Sequence, residues 1–254
     1  MTNTILETKN LGMDFGGLTA VNNLNLKVNQ NEIVGLIGPN GAGKTTVFNL
    51  LTKVYDPTRG SIILCGEDLK KATTIDANIK GVARTFQNIR LFNGLTVLDN
   101  VKAAMSNLYK YSVFDSLLHT SKYRRCEKEI EEAANELLRI FDLYEFRNLL
   151  ASSLPYGAQR RLEIARALAC KPKVLLLDEP AAGMNPQETD QLMKTIKFVR
   201  DKFGIAILLI EHDMSLVMNI CERIYVLNYG MLLAEGSPED IMNNPDVIKA
   251  YLGD

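Results

Sequence analysis

Three kinds of hydrophobic pattern follow one another along the chain. Residues 4 to 37 alternate short β-prone runs with turn residues such as Phe15-Gly16-Gly17 and Asn29-Gln30-Asn31. Gly60-Ser61-Ile62-Ile63-Leu64-Cys65-Gly66 adds a strand bounded by glycines. This front part predicts antiparallel sheet packed around the apolar run Ile33-Val34-Gly35-Leu36-Ile37. From about Leu91 to Leu150 the pattern becomes helical. Thr96-Val97-Leu98-Asp99 is a capping-box start for a helix running toward Met105. Ile130, Ala133, Ala134, Leu137, Leu138 and Phe141 recur at helical spacing within a helix expected from Ser121 to Leu143. Lys128, Glu129, Glu131, Glu132 and Arg139 form its solvated face. The last third carries two continuous apolar runs, Val174 to Leu177 and Ile205 to Ile210. Such runs suit strands buried on both faces of a parallel sheet. Between them a helix is expected from Pro186 to Lys202, with Asn185 as N-cap and Pro186 at its first position. The pattern predicts an α/β core interrupted by a helical subdomain.

Composition narrows the class only slightly. With 254 residues, 46% hydrophobic, 23% charged and a formal net charge of -1, the chain fits a globular protein and shows no nucleic-acid footprint. Cys65, Cys126, Cys170 and Cys221 are scattered, without a C-x-x-C pair, which favours a reducing, cytosolic compartment. The first residues have neither the basic start nor the apolar stretch of a signal peptide. No apolar run approaches the roughly 18–20 residues that span a bilayer, so a membrane role is expected only through a partner.

The chemistry is concentrated in two motifs. Gly38-Pro39-Asn40-Gly41-Ala42-Gly43-Lys44-Thr45-Thr46 fits G-x-x-x-x-G-K-[ST], with a strand pattern before it and a helical one, Thr45 to Lys53, after it. The glycines let successive N–H groups converge on an anion. The helix adds the positive end of its dipole. Lys44 supplies a charge for the β- and γ-phosphates and Thr45 a hydroxyl for Mg²⁺. Val174-Leu175-Leu176-Leu177-Asp178-Glu179 is an apolar strand ending in two acids, the shape of a Walker B element. Asp178 is the candidate for the Mg²⁺ coordination sphere, through water, and Glu179 for polarising the attacking water.

Leu154-Pro155-Tyr156-Gly157-Ala158-Gln159, followed by an amphipathic helix from Leu162 to Ala169, completes a resemblance. The order of elements resembles the ATP-binding subunit of an ABC transporter. That family's signature, Leu-Ser-Gly-Gly-Gln, maps onto Leu154 to Ala158. The resemblance makes Gln87 the Q-loop glutamine, a Mg²⁺ and water contact, and Pro180 to Asn185 the D-loop. It makes His212 the switch histidine contacting the γ-phosphate, and Phe15 the aromatic that stacks on adenine. Read without the family, Phe15 could equally be a core aromatic, Gln87 a plain loop amide and His212 a structural histidine. His119 in the insert is given no role. Arg160 and Arg161 could be surface charges on the signature helix and are given no role. The stretches Phe15 to Val21 and Asn88 to Phe92, the D-loop, the Tyr-rich insert around Leu108 to Tyr123 and the tail Asn243 to Gly253 are similar to branched-chain amino-acid importer ATPases.

The resemblance implies an ABC ATPase fold: a P-loop core with mixed sheet and an antiparallel β-subdomain in residues 1–88 and 162–254, and an inserted helical subdomain in 89–161. It also implies ATP and Mg²⁺ as ligands, Lys44, Gln87, Glu179 and His212 as the catalytic set, and Thr45, Gln87 and Asp178 around the metal. Two cassettes would sandwich two ATP molecules head to tail at the cytoplasmic face of the membrane, under permease subunits served by a solute-binding protein. Ile89, Leu91 and Phe92 form a candidate docking tip, or else a packed turn. Three departures stand out. Pro155 replaces the signature serine and lacks both hydroxyl and N–H. Tyr156 and Ala158 replace a Gly and the Gln. Asn185 replaces the usual D-loop Asp. These weaken the half-site offered to a partner and favour pairing with a different ATPase, a homodimer remaining possible. The alternatives are an ABC ATPase serving another transporter, a soluble ABC protein of repair or translation, or a nucleotide-sensing module. A GTPase is disfavoured, since no Asn-Lys-x-Asp occurs.

Overall fold

The computed structural model describes residues 3–109 and 111–252. Met1, Thr2, Lys110, Gly253 and Asp254 lie outside the described residues, and with them the start of the chain, one position of the Tyr-rich insert and the last position of the family-like tail. In chain order the elements are β1 (Thr4–Phe15), β2 (Leu18–Asn29), β3 (Ile33–Ile37), α1 (Lys44–Leu51), β4 (Arg59–Leu64), β5 (Glu67–Asp68), α2 (Thr74–Lys80), β6 (Val82–Arg84), α3 (Val97–Met105), α4 (Val113–Leu117), α5 (Ser121–Ile140), α6 (Tyr156–Ala169), β7 (Val174–Asp178), α7 (Pro186–Phe203), β8 (Ala206–Ile210), α8 (Met214–Ile220), β9 (Arg223–Asn228), β10 (Met231–Gly236), α9 (Pro238–Met242) and α10 (Pro245–Leu252).

The chain forms two compact units, residues 1–87 with 173–254, and residues 88–172. In the first, a six-stranded sheet runs β10-β9-β3-β8-β7-β6, parallel except for the β9–β10 hairpin. Every residue of β3, β7 and β8 is buried. This is why these strands are apolar throughout instead of alternating. The second sheet, β2-β1-β4-β5, is antiparallel. The expected short front strands are in fact two 12-residue strands. They are broken by register shifts, one of them spanning Asn10, whose φ is 50°. A bulge keeps a long strand pairing while it bends, so turn-prone asparagines inside it do not end it.

The second unit is helical. α5 ends at Ile140, three residues before the expectation, and buries Ile130, Ala134, Leu137 and Leu138. Thr96 caps α3 by accepting from the Asp99 N–H, but the reciprocal half of a capping box is missing: the Asp99 carboxylate accepts from the Thr96 hydroxyl instead. α6 begins at Tyr156, six residues earlier than expected, and is one continuous helix within this unit, which therefore runs to 172 and not to 161. Arg160 is not a surface charge. It is fully buried and donates to Glu163 at 2.7 Å, while Glu163 also accepts from the Arg90 N–H. A buried charge persists when it is paired and hydrogen-bonded. Arg161 donates to the Phe141 carbonyl.

Candidate active site

The loop after β3 depends on glycine at two points. Gly38 has φ 149° and a Cβ there would lie 2.1 Å from the Leu227 carbonyl; Gly43 has φ 100° and its Cβ would lie 2.6 Å from the Ala20 carbonyl. Gly43 is also the N-cap of α1, whose first turn has neither a side-chain cap nor an acid. The orphan N–H groups and positive dipole end of α1 are thus kept for an outside anion. Lys44 is buried and donates to the carbonyls of Gly38 (2.6 Å) and Pro39 (2.9 Å). Burial holds its pKa below the ordinary lysine value, and the nearby Glu179 charge opposes that shift.

These groups open into a cleft of about 520 Å³, built wholly from the first unit and lined by Phe15, residues 40–46, Glu179, His212 and Tyr229 among others. Thr45 is exposed there. Phe15 meets Tyr55 edge-on, with ring centroids 5.3 Å apart, and stays 41% exposed. It is a rim aromatic and not a core one.

Glu179 follows the last residue of β7 with φ 45°, its N–H donating to the Ile210 carbonyl at the end of β8. A left-handed glutamate is strained, on the order of 1–3 kcal/mol, and such strain persists only where the surroundings over-determine it. The neighbouring strand ends provide that constraint. The His212 Nε2 lies 2.5 Å from Glu179 Oε1, and Gln87 Nε2 donates to Oε2 at 2.6 Å. The structure thus joins three of the expected catalytic residues in one hydrogen-bonded cluster, with Gln87 on Glu179.

Asp178 is buried, and its Oδ2 accepts from the Arg84 guanidinium at 2.6 Å. Arg84 also donates to Asn49 Oδ1 at 2.8 Å and lies over the rings of Phe48 and Phe86. Sequence reading missed this arginine. An Arg at the end of a short apolar strand has no local signal, and its partner is 94 positions away. Glu211 was missed too. It is buried and accepts from the N–H groups of Ala181 (2.7 Å), His212 (3.0 Å) and Asp213 (3.4 Å), tying the D-loop to the histidine. Burial pushes its pKa above the ordinary glutamate value. Its signal was an acid directly after an all-apolar strand run.

The oxygen donors Thr45, Asp178 and Gln87 suit Mg²⁺, which takes few protein oxygens and completes its shell with phosphate and water. No cluster of three or more His, Cys, Asp or Glu of metal-holding geometry occurs among the described residues.

The signature residues belong to the second unit. Pro155 is the N-cap of α6, a position that needs no N–H, and no side chain caps this helix. Leu154 and Ala158 are buried, Gln159 Nε2 donates to the Leu154 carbonyl at 2.8 Å, and Tyr156 is exposed. Gly157 lies in the first turn of α6. Asn185 keeps its expected role, capping α7 by accepting from the Glu188 N–H.

A glycine loop that presents an uncapped helix to an anion, beside carboxylates at the ends of parallel strands, defines a P-loop nucleoside-triphosphatase. The family model described as ABC transporter matches residues 21–182, and that described as branched-chain amino acid ATP-binding cassette transporter matches residues 231–254. The chain is 50% identical over 254 residues, all of both chains, to the high-affinity branched-chain amino acid transport ATP-binding protein BraF of Pseudomonas aeruginosa. Its fold matches the ADP conformation of an ATP-binding cassette of an ABC transporter, at TM-score 0.85 and 29% identity over 99% of each chain. It also matches a cassette solved as a dimer in a post-hydrolysis state bound to ADP and Pi, at TM-score 0.75 and 25% identity over 92% of this chain and 99% of that one. The chain belongs to the ABC transporter family, as an ATP-binding cassette with ATPase activity coupled to transport.

Proposed function

We propose that this chain hydrolyses ATP to drive the import of branched-chain or other hydrophobic amino acids. The observation that carries the hydrolytic part is the Glu179 carboxylate, held by His212 and Gln87 at the edge of the cleft that Lys44 and the α1 N-terminus line. The C-terminal family match and the name of the Pseudomonas relative support the substrate class. Phe15, with an open ring face, takes the adenine. The loop N–H groups from Gly38 to Thr46 and Lys44 take the phosphates. Glu179 is the general base for water attacking the γ-phosphate, and His212 steadies that phosphate. Thr45 and Gln87, with Asp178 acting through water, would hold Mg²⁺, which when bound neutralises phosphate charge.

The cleft is half of a catalytic site, and a second ATP-binding subunit closes it with its own signature. The dimeric, ADP- and Pi-bound relative supports pairing of cassettes in this way. Pro155 offers that partner no hydroxyl, so a different ATPase with a stronger signature is the favoured mate. Permease subunits hold the pair at the cytoplasmic face of the membrane, with a solute-binding protein beyond them. The exposed Phe92, with half-buried Ile89 and Leu91, is the docking tip.

Reconstitution with permease and solute-binding protein in proteoliposomes tests this reading. Leucine, isoleucine or valine should stimulate ATP hydrolysis. Stimulation only by a chemically different solute would move the chain to another transporter. Light scattering of Glu179→Gln with ATP should show a monomer when the chain is alone; a tight homodimer removes the case for a different mate.

A further inference from the structure

The helix α4 reverses the usual inside-out rule. Val113, Phe114, Leu117 and Leu118 are 80%, 77%, 75% and 71% exposed, and no residue of α4 is buried. Exposed hydrophobics scattered singly are ordinary, but four large ones within six positions form a contiguous patch, and such patches mark contact sites. The patch is held in a defined shape. Ser112 and Asp115 close a full capping box around the start of α4, and the Thr120 hydroxyl donates to the other Asp115 oxygen at 3.0 Å. On the inner side, Tyr123 meets Tyr111 and His119 edge-on, and the Tyr111 hydroxyl donates to Glu127 at 2.8 Å. Polar and aromatic groups thus anchor the segment to α5 while its aliphatic groups face out.

Charge indicates what covers the patch. Lys122, Arg124 and Arg125, all exposed, follow it on the first turns of α5; Asp115 is engaged in capping, Glu127 accepts from the Tyr111 hydroxyl, and Arg125 lies 4.0 Å from Glu129, which leaves Lys122 and Arg124 as the cations nearest the patch. An apolar ridge edged by cations fits the boundary between acyl chains and anionic headgroups. We propose that α4 lies on the anionic surface of a lipid bilayer, with Phe114 and Leu117 in the acyl boundary and Lys122 and Arg124 against lipid phosphates. This depends on the transporter reading only for the presence of a membrane beside the chain.

The chain contains no tryptophan, so Leu117→Trp introduces a single tryptophan, excited apart from the tyrosines, on a surface where nothing is buried. The full-length variant is titrated with vesicles of phosphatidylglycerol and phosphatidylethanolamine, then with phosphatidylcholine vesicles. Emission should shift to the blue with the anionic vesicles and at least tenfold more weakly with the neutral ones. Lys122→Glu with Arg124→Glu should weaken binding by roughly tenfold or more, since each cation near an anionic surface contributes about fivefold. Phe114→Ser should weaken it further while nucleotide binding, read with a fluorescent ADP analogue, stays unchanged. Equal response to both vesicle types overturns the anionic recognition. No response to any vesicle overturns the proposal, and a blue shift seen only with detergent-solubilised permease assigns the patch to a protein partner instead. Vesicle binding needs neither permease nor solute, so its failure is separable from a failure of stimulated ATP hydrolysis in proteoliposomes.

Discussion

The strand ends at the cleft and the helix α4 depart from the same rule in opposite directions. Around the cleft, Lys44, Asp178, Glu211 and the Arg84 side chain are buried where a sheet of apolar strands would by itself place apolar groups. At α4, four large apolar side chains are exposed where a small solvated helix would place polar ones. In the first region these buried charges have partners within the fold: loop carbonyls for Lys44, Arg84 for Asp178, three N–H groups for Glu211. In the second, capping and aromatic contacts hold the segment, but none of the described residues covers its aliphatic face. The difference teaches how a cassette divides its work. Chemistry needs charges pre-paired and dry, so the chain supplies the partners itself. Docking needs surface left open, so the chain supplies only the scaffold.

The largest test of the first region is Glu179→Gln. It keeps the His212 and Gln87 neighbours but removes the base, so ATP should still bind while turnover falls on the order of 10²–10⁴; near-normal turnover in a phosphate-release assay would take the base role away from Glu179. Next is Arg84→Met. Leaving Asp178 buried and unpaired should cost about 3–5 kcal/mol in urea melts. Adding Asp178→Asn to that variant should restore part of the loss, and failure to do so would break the claim that the pair, and not the packing of Arg84 on Phe48 and Phe86, carries the cost. A smaller effect is expected at Asn185→Ala, about 1 kcal/mol from loss of the α7 cap, read as a drop in the denaturation midpoint.

The smallest effect concerns pH. Burial raises the Glu211 pKa from an ordinary value near 4.5. The folded chain therefore keeps that proton at pH values where the unfolded chain has lost it. The stability this provides is full below the ordinary value and is lost as pH rises through the raised one. Glu211→Gln cannot titrate, so its melting temperature should change less between pH 4.5 and 7 than that of the parent chain. Parallel curves for the two proteins would show that Glu211 is not dry enough to matter.

Much of the site could be read locally, because its parts are local. The loop from Gly38 to Thr46 is one contiguous segment whose glycine spacing is itself the constraint, and Asp178 and Glu179 mark the end of a strand buried on both faces. Asn185 before Pro186 was legible as a cap for the same reason, since a cap acts on the next three residues. The start of α6 was not. Pro155 and Gly157 look like helix breakers, yet at an N-cap and in a first turn neither costs an interior hydrogen bond. The length of β1 and β2 was hidden as well, because a bulge absorbs a turn-prone asparagine that in isolation would end a strand.

The amino-acid order by itself determined the elements that depend on neighbours within a few positions: the phosphate loop, the paired acids, the caps and the apolar strands of the parallel sheet. Only the tertiary structure decided the partnerships between distant positions. Arg84 reaches Asp178, Gln87 and His212 meet on Glu179, and Glu211 receives the D-loop N–H because parallel strands deliver their carboxyl ends to one edge. The exposure of α4 belongs to the same class. Helical spacing says which residues share a face, but whether that face is covered depends on what packs against it, and that is a property of the fold.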